Sequence, residues 1–136
     1  MSAASAEHGR IILFVCNWNA YGALEDAGRA GLRYPARVLP VRVPCAGCIH
    51  PGIILKAFEL GAAGVIVAGC GPDQCRHGSG YRRAGDAFSS SAAMLKLLGI
   101  PEGRLDLEFF DAGDGPMLAE KINRFVERAG FEGERP

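Results

Sequence analysis

Four short apolar runs, each followed by a stretch of helical periodicity, constrain this chain more than anything else in it. The first, Ile11-Ile12-Leu13-Phe14-Val15, is apolar throughout, as a strand buried on both faces is. The second covers residues 37–43 and carries Pro40, which places it at a sheet edge because proline donates nothing to a ladder. The third, residues 64–68, is among the most apolar and is expected at the centre of the sheet. The fourth covers residues 105–110. Between them the spacing predicts a helix over 20–32, with Ala23, Leu24, Ala27 and Ala30 or Gly31 on one side, ending before Tyr34-Pro35. A second helix over 51–60 opens on Pro51-Gly52, faces Ile54, Leu55 and Phe58 inward, and is capped by Gly61. A third covers 81–98 and ends at Gly99; a fourth covers 116–129, with Leu118, Ile122, Phe125 and Val126 as its buried stripe.

Strands alternating with helices predict an α/β fold: a single-domain, doubly wound, four-stranded parallel sheet of flavodoxin- or Rossmann-like type, with right-handed crossovers. The 136 residues make about one domain, and with 49% of them apolar a proper core is within reach. Residues 1–9 read as a disordered leader, 10–130 as the folded domain and 131–136 as a flexible tail. A formal net charge of zero implies no broad attraction to nucleic acid or membrane. No apolar run approaches the roughly 18 residues of a membrane span. The N-terminus lacks the charged-then-apolar layout of an export signal, which points to the cytoplasm. The turn after the first run, Cys16-Asn17-Trp18-Asn19-Ala20-Tyr21-Gly22, has no glycine close enough to cradle a pyrophosphate, so nucleotide binding is disfavoured despite the fold.

All five cysteines lie just beyond the ends of three of these runs. Cys16 follows the first, Cys45 and Cys48 the second, Cys70 and Cys75 the third. In a parallel sheet those ends share one edge, where open α/β sheets hold ligands. Thiols distant in sequence would then converge, as they do around zinc or an iron–sulfur cluster. A lone cysteine is often a small buried hydrophobe, but five in turn-like segments fit core filling poorly. Cys45-Ala46-Gly47-Cys48 is a C-x-x-C, readable as a redox dithiol or as two metal ligands. Ile49-His50-Pro51 delays the following helix, which favours ligands over a thioredoxin-like dithiol. Gly69 and Gly71 flank Cys70 and, like Gly47, allow the backbone to approach a cluster and donate amide hydrogen bonds to sulfur. Four thiolates suit zinc as well as iron, and the spacing alone does not choose.

Around the thiols, His50 and His77 are candidate ligands or hydrogen-bond donors, though loop histidines are more often solvated; His8 lies in the leader. Arg76, Arg82 and Arg83 make the third turn basic, suited to an anionic cluster or a partner's acidic patch. Trp18 and Tyr21 are candidates to shield the site. Asp111 and Asp114 read as turn and cap residues as readily as catalytic ones, and no Ser/His/Asp order stands out.

Together these turns resemble the delta subunit of methyl-viologen-reducing hydrogenase, a small iron–sulfur protein family. The matching stretches are Cys16-Asn17-Trp18, Asp26-Ala27-Gly28, Tyr34-Pro35, Arg42-Val43-Pro44-Cys45-Ala46-Gly47, Leu55-Lys56-Ala57-Phe58, Gly61-Ala62-Ala63-Gly64-Val65, Gly69-Cys70-Gly71-Pro72-Asp73-Gln74-Cys75 and Arg82-Arg83. They span about residues 10–128 in order.

The resemblance implies an electron-transfer subunit, not itself catalytic, whose domain at 10–130 carries a 2Fe–2S cluster. It implies electron relay between a hydrogenase, or another dehydrogenase or reductase, and a heterodisulfide-reductase-A-like flavoprotein. That flavin splits electron pairs between two acceptors in the cytoplasm of anaerobes, including complexes that reduce benzoyl-CoA. Cys16, Cys45, Cys70 and Cys75 are the implied ligands, with Cys48 as substitute or fifth thiol, and Gly47, Gly69, Gly71 and Arg76 as cofactor contacts. The chain departs from the family's pattern at Asn19, where a cysteine is usual, at the added Cys48, and at Gly71 and Arg76, where histidines are usual. The alternatives are a thiol–disulfide oxidoreductase working through Cys45 and Cys48, and a zinc-binding structural adaptor.

Overall fold

The computed structural model describes residues 9–72 and 74–128. The expected disorder of 1–8 and 131–136, with His8, lies outside them. Four strands alternate with four helices: β1 (Ile11–Cys16), α1 (Asn19–Arg29), β2 (Val38–Val43), α2 (Pro51–Glu59), β3 (Gly64–Gly69), α3 (Gly80–Leu97), β4 (Leu105–Phe109) and α4 (Gly115–Arg128). Single 3-10 turns at Ala46–Cys48 and Glu102–Arg104 precede α2 and β4. All strand pairs are parallel, in the order β2-β1-β3-β4. The α/β fold expected from the alternation is the fold observed, with β2, which carries Pro40, at the edge and β3 buried throughout.

The two faces follow from the period of two along each strand. Ile11, Leu13 and Val15 of β1, with Ile66 and Ala68 of β3, pack against Ala20 and Ala23 of α1 and Leu118, Ile122, Phe125 and Val126 of α4. Phe14 of β1, with Val65 and Val67 of β3, packs against Ile54 and Phe58 of α2 and Ala84 and Leu95 of α3. Gly64 makes one contact possible that no other residue would. A β-carbon there would stand 2.8 Å from the Phe125 ring, so α4 lies directly on the strand.

Most boundaries fall within one residue of expectation, and two of the differences have consequences. Helix α1 stops at Arg29, and Gly31 takes φ 70°, so that the Leu32 amide reaches back to the Ala27 carbonyl at 3.0 Å. Ala30 and Gly31 are therefore exposed, not part of the inner face. Cys16, expected beyond β1, is its last residue, because the ladder to β2 runs on to pair it with Val43.

Candidate metal centre

The registers bring the carboxyl ends of β1, β2 and β3 level, and the turns leaving them carry the thiols. Cys16 ends β1 and Cys70 follows β3; these two strands are neighbours, and the sulfurs meet at 3.4 Å. Cys45 leaves β2 and Cys75 leaves the loop before α3; their sulfurs meet at 3.6 Å. All four line one pocket with Trp18, Ala46, His77, Gly80, Tyr81 and Phe109. The pocket encloses about 10 Å³, so an inorganic core would enter by parting the sulfurs and the loop that carries Cys75.

Two sulfurs on one tetrahedral metal at ~2.3 Å stand about 3.8 Å apart, so each pair has nearly the separation that one metal imposes. The thiols are arranged two and two.

Helix α3 begins against them. A β-carbon on Gly80 would overlap the sulfurs of both Cys45 and Cys75. One on Gly47 would stand 2.7 Å from the Gly80 α-carbon, so the two glycines let the turn after β2 meet the first turn of α3. The Gly47 amide donates to the Cys45 sulfur at 3.3 Å. Burial pushes the Cys45 thiol up; the Gly47 amide opposes this, while Cys75 and Cys48 reinforce it. For Cys75, burial also acts upward, but the amides of His77, Gly80 and Gly78 and the Cys45 thiol outweigh it and bring the group below the ordinary thiol value. The deeper pair behaves differently. Burial raises Cys70 to about 11, reinforced by Cys16 and only partly offset by the Asn19 amide. The Ala20 amide donates to Cys16 at 3.4 Å.

Cys48 stands apart. It closes the 3-10 turn facing solvent and does not line the pocket, though its charge still acts on Cys45. Of the expected glycine contacts, Gly47 touches a thiol; a β-carbon on Gly69 would press on Ala46 and one on Gly71 would meet nothing nearer than Gln74. Arg76 lies over the Trp18 ring, 4.3 Å from its centroid, closing the pocket rim. Arg42 lies over Tyr21 at 3.8 Å and donates to Asn17. His50 caps α2, its Nδ1 accepting from the Gly52 amide at 2.9 Å, whereas His77 lines the pocket. Asp114 acts within its turn, accepting from the Asp111 amide at 2.7 Å. Asn19 donates to Gln74 at 2.7 Å, tying the first turn to the third. Gly80, Tyr81 and Phe109 are site residues that sequence reasoning missed. The tract Gly78-Ser79-Gly80 before a helix was the available signal.

A family model described as methyl-viologen-reducing hydrogenase, delta subunit, matches residues 11–130. The iron-sulfur subunit of an F420-non-reducing hydrogenase of Archaeoglobus profundus is 37% identical over 115 residues, 85% of this chain and 84% of that protein. The iron-sulfur subunit of the vhc F420-non-reducing hydrogenase of Methanococcus voltae is 34% identical over 119 residues, 88% of this chain and 83% of that protein. The A component of the ferredoxin/F(420)H(2)-dependent CoB-CoM heterodisulfide reductase of Methanosarcina acetivorans is 32% identical over 117 residues, which are 86% of this chain but 15% of that protein.

Proposed function

This chain belongs to the family of methyl-viologen-reducing hydrogenase delta subunits, and from that premise we propose that it is an electron-transfer subunit holding a 2Fe–2S cluster. The observation that carries the proposal is the meeting of four thiols, two and two, against a helix start with no room for a side chain. Cys16, Cys70, Cys45 and Cys75 are the ligands. When bound, the cluster supplies one-electron redox chemistry at a group that needs no proton. The protein's part is to hold it. Gly80 leaves space for the sulfurs, and the amides of Gly47, His77, Gly78 and Gly80 offset negative charge on Cys45 and Cys75. Trp18, with Arg76 over its ring, limits water at the rim.

The proposed partners are a hydrogenase, or another dehydrogenase or reductase module, and a heterodisulfide-reductase-A-like flavoprotein; relatives named as subunits of a hydrogenase and of a heterodisulfide reductase support a place in such a complex. That one relative of this chain is a segment of such a heterodisulfide reductase component supports direct contact with it. This chain passes electrons to the flavin, which divides them between acceptors; the setting is cytoplasmic and anaerobic. No helix among the described residues is long and apolar enough to cross a membrane. A dithiol enzyme would need Cys45 activated beside Cys48; instead burial raises Cys45 and its sulfur neighbour is Cys75.

The test is anaerobic purification with iron, zinc and acid-labile sulfide analysis, then electron paramagnetic resonance after dithionite reduction. The expected result is two irons and two sulfides per chain and a rhombic S = 1/2 signal. Stoichiometric zinc without iron, or a colourless chain after reconstitution, overturns the proposal.

A further inference from the structure

The two thiol pairs are not equivalent. Cys16 and Cys70 are 2% and 6% exposed, whereas Cys45 and Cys75 are only partly buried. The deeper Cys16 sulfur receives the Ala20 amide and the outer Cys45 sulfur the Gly47 amide. The outer sulfurs also lie against Gly80, the first residue of α3, an 18-residue helix. Helix N-termini carry partial positive charge, which stabilises added negative charge, and so does access to water. Both favour the outer pair.

Resting on the proposed cluster, we infer that Cys45 and Cys75 bind the iron that is reduced, while Cys16 and Cys70 bind the iron that stays ferric. Each pair belongs to one iron, because separations of 3.6 and 3.4 Å are near the ~3.8 Å that a shared tetrahedral metal gives. One electron, from a redox partner or from dithionite in the test, converts one of two ferric ions to ferrous. No bond forms or breaks and no proton moves. Placed on the inner iron, the electron would sit away from the helix start and deeper in an apolar core that includes Ala20, Ala68 and Phe110. The electron therefore arrives and departs over His77 and Tyr81, exposed residues that line the pocket, not across the buried end of β1.

The test is proton NMR of the dithionite-reduced chain, following the cysteine β-protons with temperature. Those on the ferric iron shift strongly downfield and the shift shrinks on warming; those on the ferrous iron are less shifted and move the opposite way. Overhauser contacts to the Gly80 α-protons identify Cys45 and Cys75; contacts to the Ala20 methyl identify Cys16. The inference expects the Gly80-linked set to be ferrous and the Ala20-linked set ferric. The reverse assignment, or one behaviour shared by all four cysteines, overturns it while leaving the cluster intact. A chain that binds no iron shows no shifted protons and overturns both this inference and the proposal beneath it.

Discussion

Residue 80 opens a helix, where replacing glycine by alanine ordinarily stabilises, by less than the roughly 1 kcal/mol of a helix interior. Here the new β-carbon would fall on two sulfurs, so the same change acts against the site. Gly80→Ala is expected to keep its helical circular dichroism and lose most of its iron on reconstitution; full iron content would show that the sulfurs need no such space. The thiols themselves should differ in the metal-free chain. Cys75 is lowered, so its thiolate fraction, which controls alkylation, exceeds that of an ordinary thiol at pH 8. Cys70, pushed up to about 11, is thiolate in about one molecule in a thousand at that pH. In a Cys48→Ser background, mass spectrometry of iodoacetamide-treated protein should find Cys75 modified first and Cys70 last, with Cys70 catching up only as the pH approaches 11.

At the scale of elements, the helix α4 supplies no thiol yet packs on the core that holds Cys16 and Cys70. Phe125 is 1% exposed and rests on Gly64 of β3. Phe125→Ala is expected to cost ~3–5 kcal/mol in urea denaturation, with iron ligation unchanged in the folded fraction. The tie from Asn19 at the start of α1 to Gln74 is exposed, so Gln74→Ala should cost about 1 kcal/mol or less. These elements also mark what could be read from sequence. The strands were legible because β1 and β3 are apolar on both faces, and α4 because its apolar residues recur at one spacing. Helix α1 was overextended because Ala30 continues a good helical composition, and only the left-handed Gly31 ends it. Gly80 went unnoticed because its constraint lies in Cys45, 35 positions earlier, across space. The C-x-x-C spacing gave no sign that a 3-10 turn would face Cys48 to solvent while holding Cys45 on Cys75.

On the scale of the whole molecule, the order β2-β1-β3-β4 explains where the thiols gather. The chain leaves β1 toward β2 on one side and resumes at β3 on the other, and the crevice at the carboxyl ends opens between β1 and β3. Cys16 and Cys70 sit in that crevice and Cys45 and Cys75 over it. The same edge carries Arg42 and Arg76 stacked on aromatic rings, with Arg82 and Arg83 exposed in the first turn of α3. Among the described residues none of these four has a carboxylate ion-pair partner, although Arg29, Arg124 and Arg128 elsewhere do. A redox partner presenting carboxylates would meet them. Arg82→Glu with Arg83→Glu should weaken co-purification with a heterodisulfide-reductase-A-like flavoprotein at least tenfold and flatten its salt dependence, with iron content unchanged. Unaltered binding would place the partner on another surface.

The central claim is that four thiols from three turns hold the cluster and the fifth does not. It is tested most directly by iron and acid-labile sulfide per chain across the five single Cys→Ser variants, reconstituted side by side. The account predicts that Cys16→Ser, Cys45→Ser, Cys70→Ser and Cys75→Ser each lose the two-iron, two-sulfide complement, and that Cys48→Ser retains it. Loss in Cys48→Ser, or retention in any of the other four, would contradict the account.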